Sequence, residues 1–119
     1  WLGASGIDMT YEIANAMGVN VTYGWLTAQV TDGGPAAAAG LQGTTKTIDI
    51  LGSSVAIGGD IIIAINGVRI TGTDDLSTYL EENTSPSETI NVMIVRNNET
   101  MTLQVTLGMR PSSSESSTT

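Results

Sequence analysis

The apolar positions change their period several times along the chain, and each change marks an element. Ile61-Ile62-Ile63-Ala64-Ile65 contains no polar position at all. A run this short, rich in β-branched side chains and bounded by turn residues, predicts a strand buried on both faces. Gly58-Gly59-Asp60 precedes it, and Asp60 is expected to bond neighbouring backbone N–H groups and fix that turn. Asn66-Gly67 follows, a pair that tolerates positive φ at both positions and so signals a tight hairpin. Val68-Arg69-Ile70 is then a short return strand. Near the end, Ile90, Val92 and Ile94 alternate, then Met101, Leu103, Val105 and Leu107, with Asn97-Asn98 between them. These predict a second hairpin with one buried face.

Elsewhere the period is helical. Thr10 reads as an N-cap, Ile13, Ala14 and Met17 as an apolar stripe, and Gly18 as the stop. Thr73 reads as the cap of a later helix, with Asp74 and Asp75 in its first turn and Leu76, Tyr79 and Leu80 as its stripe. Pro35-Ala36-Ala37-Ala38-Ala39-Gly40 predicts a helical turn or two. Residues 24–30 predict a strand, and the small residues of Trp1-Leu2-Gly3-Ala4-Ser5-Gly6-Ile7 predict a strand that another backbone can approach closely. Residues 42–57 read as an inserted hairpin, exposed and dispensable for folding. Residues 110–119 read as a disordered Ser/Thr-rich tail. The expected architecture is α+β, one domain over residues 1–109, with a strongly bent, mostly antiparallel sheet (a partly open barrel or sandwich) capped by two helices.

Composition removes several functions. The chain holds neither Cys nor His, so thiol chemistry and the commonest general base are missing. Its formal charge is −8, with only Lys46, Arg69, Arg96 and Arg110 positive, which leaves no basic footprint for nucleic acid. No apolar run is long enough to span a bilayer. The acidic residues do not fall at metal-ligand spacing, and no cofactor is implied. A serine nucleophile would have only Lys46 as its base, in a polar segment, so independent catalysis is not expected. The chain begins without Met and reads as a piece of something longer. Three Asn-x-Ser/Thr triplets, at Asn20, Asn83 and Asn98, agree weakly with an extracytoplasmic setting.

Five motifs stand in a distinctive order. They are Trp1-Leu2-Gly3-Ala4; Thr10-Tyr11-Glu12-Ile13-Ala14 with Met17-Gly18; Pro35-Ala36-Ala37 with Ala39-Gly40-Leu41; Gly59-Asp60 through Gly67; and Asp75-Leu76 with Leu80. Together they resemble the circularly permuted bacterial-type PDZ domains of HtrA/DegP-type serine proteases. Ala4 departs from the larger apolar residue more usual there, and residues 42–57 are longer than the family's shortest form. The resemblance implies a peptide-binding module for C-terminal or extended segments of unfolded or substrate proteins. Trp1, Leu2, Gly3, Ala4, Ser5 and Gly6 would supply the carboxylate loop and the strand beside which the peptide adds. Leu76, Tyr79 and Leu80 would wall the pocket for its last side chain. It also implies a parent protease whose catalytic triad lies N-terminal to Trp1, in a periplasmic, cell-surface or secreted setting, and leaves open whether that parent is membrane-anchored or oligomeric. The alternative is a PDZ-like scaffold or oligomerisation module whose groove is filled by its own chain or a neighbouring protomer.

Overall fold

A computed structural model describes residues 1–109, so the expected tail at 110–119 lies outside the described residues. The chain runs β1 (Ala4–Asp8), α1 (Tyr11–Met17), β2 (Trp25–Val30), α2 (Pro35–Ala39), β3 (Lys46–Ile50), β4 (Ser53–Ile57), β5 (Ile61–Ile65), β6 (Val68–Arg69), α3 (Thr73–Asn83), β7 (Thr89–Arg96) and β8 (Glu99–Thr106). The main sheet has the order β1-β2-β5-β7-β8, with β6 hairpinned onto β5, and β3-β4 form a separate ribbon. Every pairing is antiparallel. Among the described residues the sheet does not close into a barrel: β1 and β8 remain as edges.

The unbroken apolar run is the centre of this sheet. Ile61, Ile62 and Ile65 are fully buried, because β5 divides two apolar clusters. Ile62 and Ile65 join one cluster with Trp25, Leu76 and Ile94, while Ile61 joins the other with Ile13, Leu26 and Ile57. Strict alternation would put Ile62 and Ile65 on opposite faces. A register shift between Ile62 and Ala64 lets both reach the same side. Asn66 and Gly67 make the expected tight turn, with φ of 51° and 84°.

Three expectations need correction. The 42–57 segment is a hairpin, but it is not a mere appendage. Ile57 is 1% exposed, and Ile48, Ile50 and Val55 pack partly buried against the cluster around α1. A five-residue strand with one apolar face needs such a surface, and α1 provides it through Ile13 and Met17. Asp60 does not act locally. Its carboxylate accepts from Gln42 N–H at 2.8 Å and from Arg96 Nε and Nη2 at 2.8 and 2.6 Å. Thr73 does not cap α3: the N-cap is Gly72, and Thr73 N–H donates to the Asp8 carboxylate of β1 at 2.6 Å. An incoming carboxylate from another element answers the orphan donor as a local hydroxyl would.

Candidate functional site

Among the described residues β1 has a strand neighbour on one side only, and α3 lies beside its other edge. Between them runs a groove of about 460 Å³. Its walls include Trp1, Leu2, Gly3, Ala4, Ser5 and Gly6 from the first stretch and Leu76 and Leu80 from the helix. The groove also takes in Trp25, Thr73, Ser77 and Glu81.

Tyr79 does not line it. On a helix, residues 73, 76, 77, 80 and 81 share one face, and 79 is turned to the side. The Tyr79 hydroxyl instead accepts from Asn66 Nδ2 at 3.2 Å, beside the β5–β6 turn, and its ring packs partly buried on the core. Leu76 belongs to both groove and core: it is 5% exposed and packs with Trp25 and Ile62. Leu80 is half-buried and sits nearer the rim.

The loop Trp1-Leu2-Gly3-Ala4 is held through its carbonyls. Trp1 C=O accepts from Gly108 N–H at 3.1 Å, Leu2 C=O from Ala36 N–H at 2.9 Å, and Gly3 C=O from Thr31 N–H at 2.8 Å. No peptide bond is cis. In a planar trans peptide the N–H points opposite to the preceding C=O. The N–H groups of Leu2, Gly3 and Ala4 are therefore turned away from those three anchors. Gly3 makes the geometry possible with φ of 81°, where a side chain would be strained. Successive outward N–H groups form a concavity that accepts an anionic or carbonyl oxygen.

Gly6 has a different reason. A Cβ there would meet the Leu26 carbonyl and come within 2.8 Å of the Trp25 ring. The absent side chain thus lets Trp25, 4% exposed, form the groove floor. Trp25 was not among the expected site residues. The available signal was a glycine in a strand, which marks close approach but does not say by what. Ser77 and Glu81 gave a signal in their spacing, four residues after Thr73 and Ser77 in turn.

The two walls are tied at one end. Thr73 N–H and hydroxyl hold the Asp8 carboxyl below the usual carboxylate range. A second tie closes the α3 entrance, where Asp75 accepts from both Thr71 groups, and the hydroxyl followed by the N–H lowers its pKa. Since Asp8 ends β1 and Thr73 begins α3, the last turns of α3 lie toward the Trp1–Ala4 loop. Leu80 and Glu81 are at that loop end.

A second cavity, about 360 Å³, lies on another side, where Met17, Lys46, Ile57, Asp60 and Arg96 meet. Asp60 bonding holds the Arg96 guanidinium pKa above its ordinary value. Among the described residues no group of three or more acidic residues could hold a metal ion.

Comparison with known proteins fits this geometry. Residues 6–107 match the family model described as PDZ domain. A probable periplasmic serine endoprotease DegP-like of Hahella chejuensis is 31% identical over 111 residues, covering 93% of this chain and 20% of the relative. A Pseudomonas fulva protein of the same description is 32% identical over 111 residues, with the same coverage. The chain thus spans about a fifth of the length of the curated relatives it matches. Among solved structures, HtrA-type protease AlgW with decapeptide superposes with a TM-score of 0.70 at 28% identity, over 94% of this chain and 30% of that one. The HtrA3 PDZ domain bound to a phage-derived ligand (FGRWV) gives a TM-score of 0.65 at 18% identity, over 89% and 82%, a likeness of fold alone. The groove between an open strand edge and a helix, and the match across nearly its whole length, make this chain a member of the PDZ domain family.

Proposed function

We propose that the groove binds an extended or C-terminal peptide segment as an added strand on β1. The observation that carries this reading is the set of three carbonyl anchors, which turns the Leu2, Gly3 and Ala4 N–H groups away from the body beside an open strand edge. The peptide backbone would pair with Ala4, Ser5 and Gly6, its terminal oxygen would meet the loop, and its last side chain would enter between Leu76 and Leu80. Strand addition of this kind takes affinity from main-chain bonds and selectivity from alternate side-chain pockets. One buried aliphatic side chain contributes about 1.5–3 kcal/mol. Each backbone bond adds about 0.5–1.5 kcal/mol. After the costs of association, micromolar affinity, about −8 kcal/mol, is the expected scale.

The curated relatives are named periplasmic serine endoproteases, and the structural neighbour AlgW is described with a decapeptide. These names support a substrate-recognition role for this module within an HtrA-type protease outside the cytoplasm, presenting unfolded or regulatory polypeptides. With neither His nor Cys in the chain, the hydrolytic groups would belong to another part of such a parent. The test is a ¹⁵N titration with a peptide ending in valine, as free acid and as amide. Amide shifts largest at residues 1–6 and 76–81, with tighter binding of the acid, are expected. Shifts centred on β8, or equal affinity for acid and amide, would remove the loop from its role.

A further inference from the structure

The charges of this molecule are segregated. Of the cationic side chains among the described residues, Lys46 and Arg96 line the second cavity, and Arg69 stacks over the Tyr23 ring, 4.6 Å from its centre. None lines the groove. The one charged side chain on the groove wall is Glu81, in a chain whose formal charge is −8. The Asp8–Thr73 tie orients α3 so that Glu81 stands at the loop end, where the reading above puts the peptide's own terminus.

We propose that the groove selects peptides carrying a Lys or Arg at the next-to-last residue, with Glu81 as the residue that reads it. The proposal rests on the groove binding a peptide strand, and it names the class of strand. An exposed glutamate beside a terminal carboxylate is repelled by it, and the lining supplies no cationic side chain to offset that repulsion. A cation on the peptide's next-to-last residue supplies the missing charge. A lysine is suited chemically, because its methylene stem can lie along Leu80 while the ammonium stays wet near Glu81. An acidic side chain in the same place would face Glu81 and the surrounding negative field together. The interaction is partly solvated, so its size follows exposed ion pairs, about a 1.5- to 5-fold change in affinity. It weakens as salt is added, the screening length being about 10 Å at 0.1 M.

The experiment is a charge scan by fluorescence polarisation at low ionic strength. A neutral peptide ending in valine is compared with forms carrying one Lys or one Glu at each position before that valine in turn. Lys at the next-to-last position should tighten binding about 1.5- to 5-fold over the neutral residue, and Glu should weaken it. Glu81→Gln should erase that positional difference, and Glu81→Lys should reverse its sign; the position is exposed, so both variants should fold. A scan that is flat, that peaks away from the terminus, or that survives Glu81→Gln unchanged overturns the proposal. If the neutral peptide binds and the scan is flat, only the charge selectivity falls. If neither the neutral peptide nor any charged form binds, the strand-addition reading itself falls and takes the selectivity with it.

Discussion

The groove and the Asp60–Arg96 cavity solve opposite problems with the same materials. Around Asp60, side chains close what the backbone leaves open: a carboxylate that is 1% exposed joins Gln42 N–H to the guanidinium of β7, and Arg96 Nη2 also reaches Gly40 C=O at 2.8 Å. The region is stitched from three separate parts of the chain. Along β1 the reverse holds, since the wall is small or apolar and the strand edge has no strand partner among the described residues. The contrast teaches where each function resides. Around Asp60 the buried polar groups are satisfied internally, while on the proposed reading recognition would fall where backbone polar groups are left for a ligand.

The sharpest way to break that contrast is Asp60→Ala. It leaves Arg96 and the Gln42 N–H without their acceptor, and removing one partner of a largely buried pair costs on the order of 3 kcal/mol. Urea unfolding should report that loss. Peptide affinity, measured where the variant is still folded, should be unchanged, because no groove wall touches Asp60. A loss of affinity larger than the unfolded fraction explains would show the two regions to be coupled.

Ser77→Trp probes the other side. Ser77 is exposed on the groove face of α3, so an indole there would occupy the place proposed for the peptide without disturbing the core. Affinity should fall at least about tenfold, equivalent to about 1.4 kcal/mol, while the unfolding midpoint stays put. Retained binding would mean that the peptide lies elsewhere.

A smaller effect tests the tie between the walls. The Asp8 pKa is lowered by Thr73, so its contribution to stability is complete above the ordinary value of 3.8 and fades as pH falls through the depressed folded value. Asp8→Asn should therefore be less stable than the parent at neutral pH, and the gap should close in acid. A gap that does not depend on pH would assign the role of Asp8 to packing rather than charge.

The smallest expected change lies in the β3–β4 ribbon. Leu51 is 89% exposed and held at φ of 51° in the turn, a conformation that suits asparagine better than leucine. Leu51→Asn should stabilise the domain by a few tenths of a kcal/mol to about 1 kcal/mol, as better turn chemistry does. Thermal melts that show destabilisation would mean that the leucine makes a contact the turn depends on.

The central strand, both hairpins and the helices were legible because their signals are local: period, β-branching and turn pairs such as Asn66-Gly67. The groove was legible on the loop and at Leu76 and Leu80. It was not legible at Tyr79, because an apolar stripe at helical spacing does not say which flank meets the sheet edge and which meets a neighbouring turn. Trp25 escaped notice because its role depends on Gly6 lying above it across a strand pair. Asp60 was misread, and Asp8 was not singled out at all, for a related reason. A carboxylate next to a turn or at a strand end looks local in one dimension, yet their partners are 18, 36 and 65 residues away. The 42–57 hairpin looked expendable because a five-residue ribbon shows its alternation but not the surface that receives Ile57.

The loop anchored by Trp1, Leu2 and Gly3 carbonyls has a consequence for how such a domain can change over generations. Its contact with a ligand would be made by main-chain N–H groups, which every residue but proline possesses, and only Gly3 is restricted by its φ. Mutational drift at the exposed positions Ser77 and Glu81 can then alter which peptides are preferred while the docking geometry is inherited intact. Preference becomes an easily revised trait and the mode of engagement a slow one, so a lineage can explore new ligands in single substitutions without first rebuilding its site.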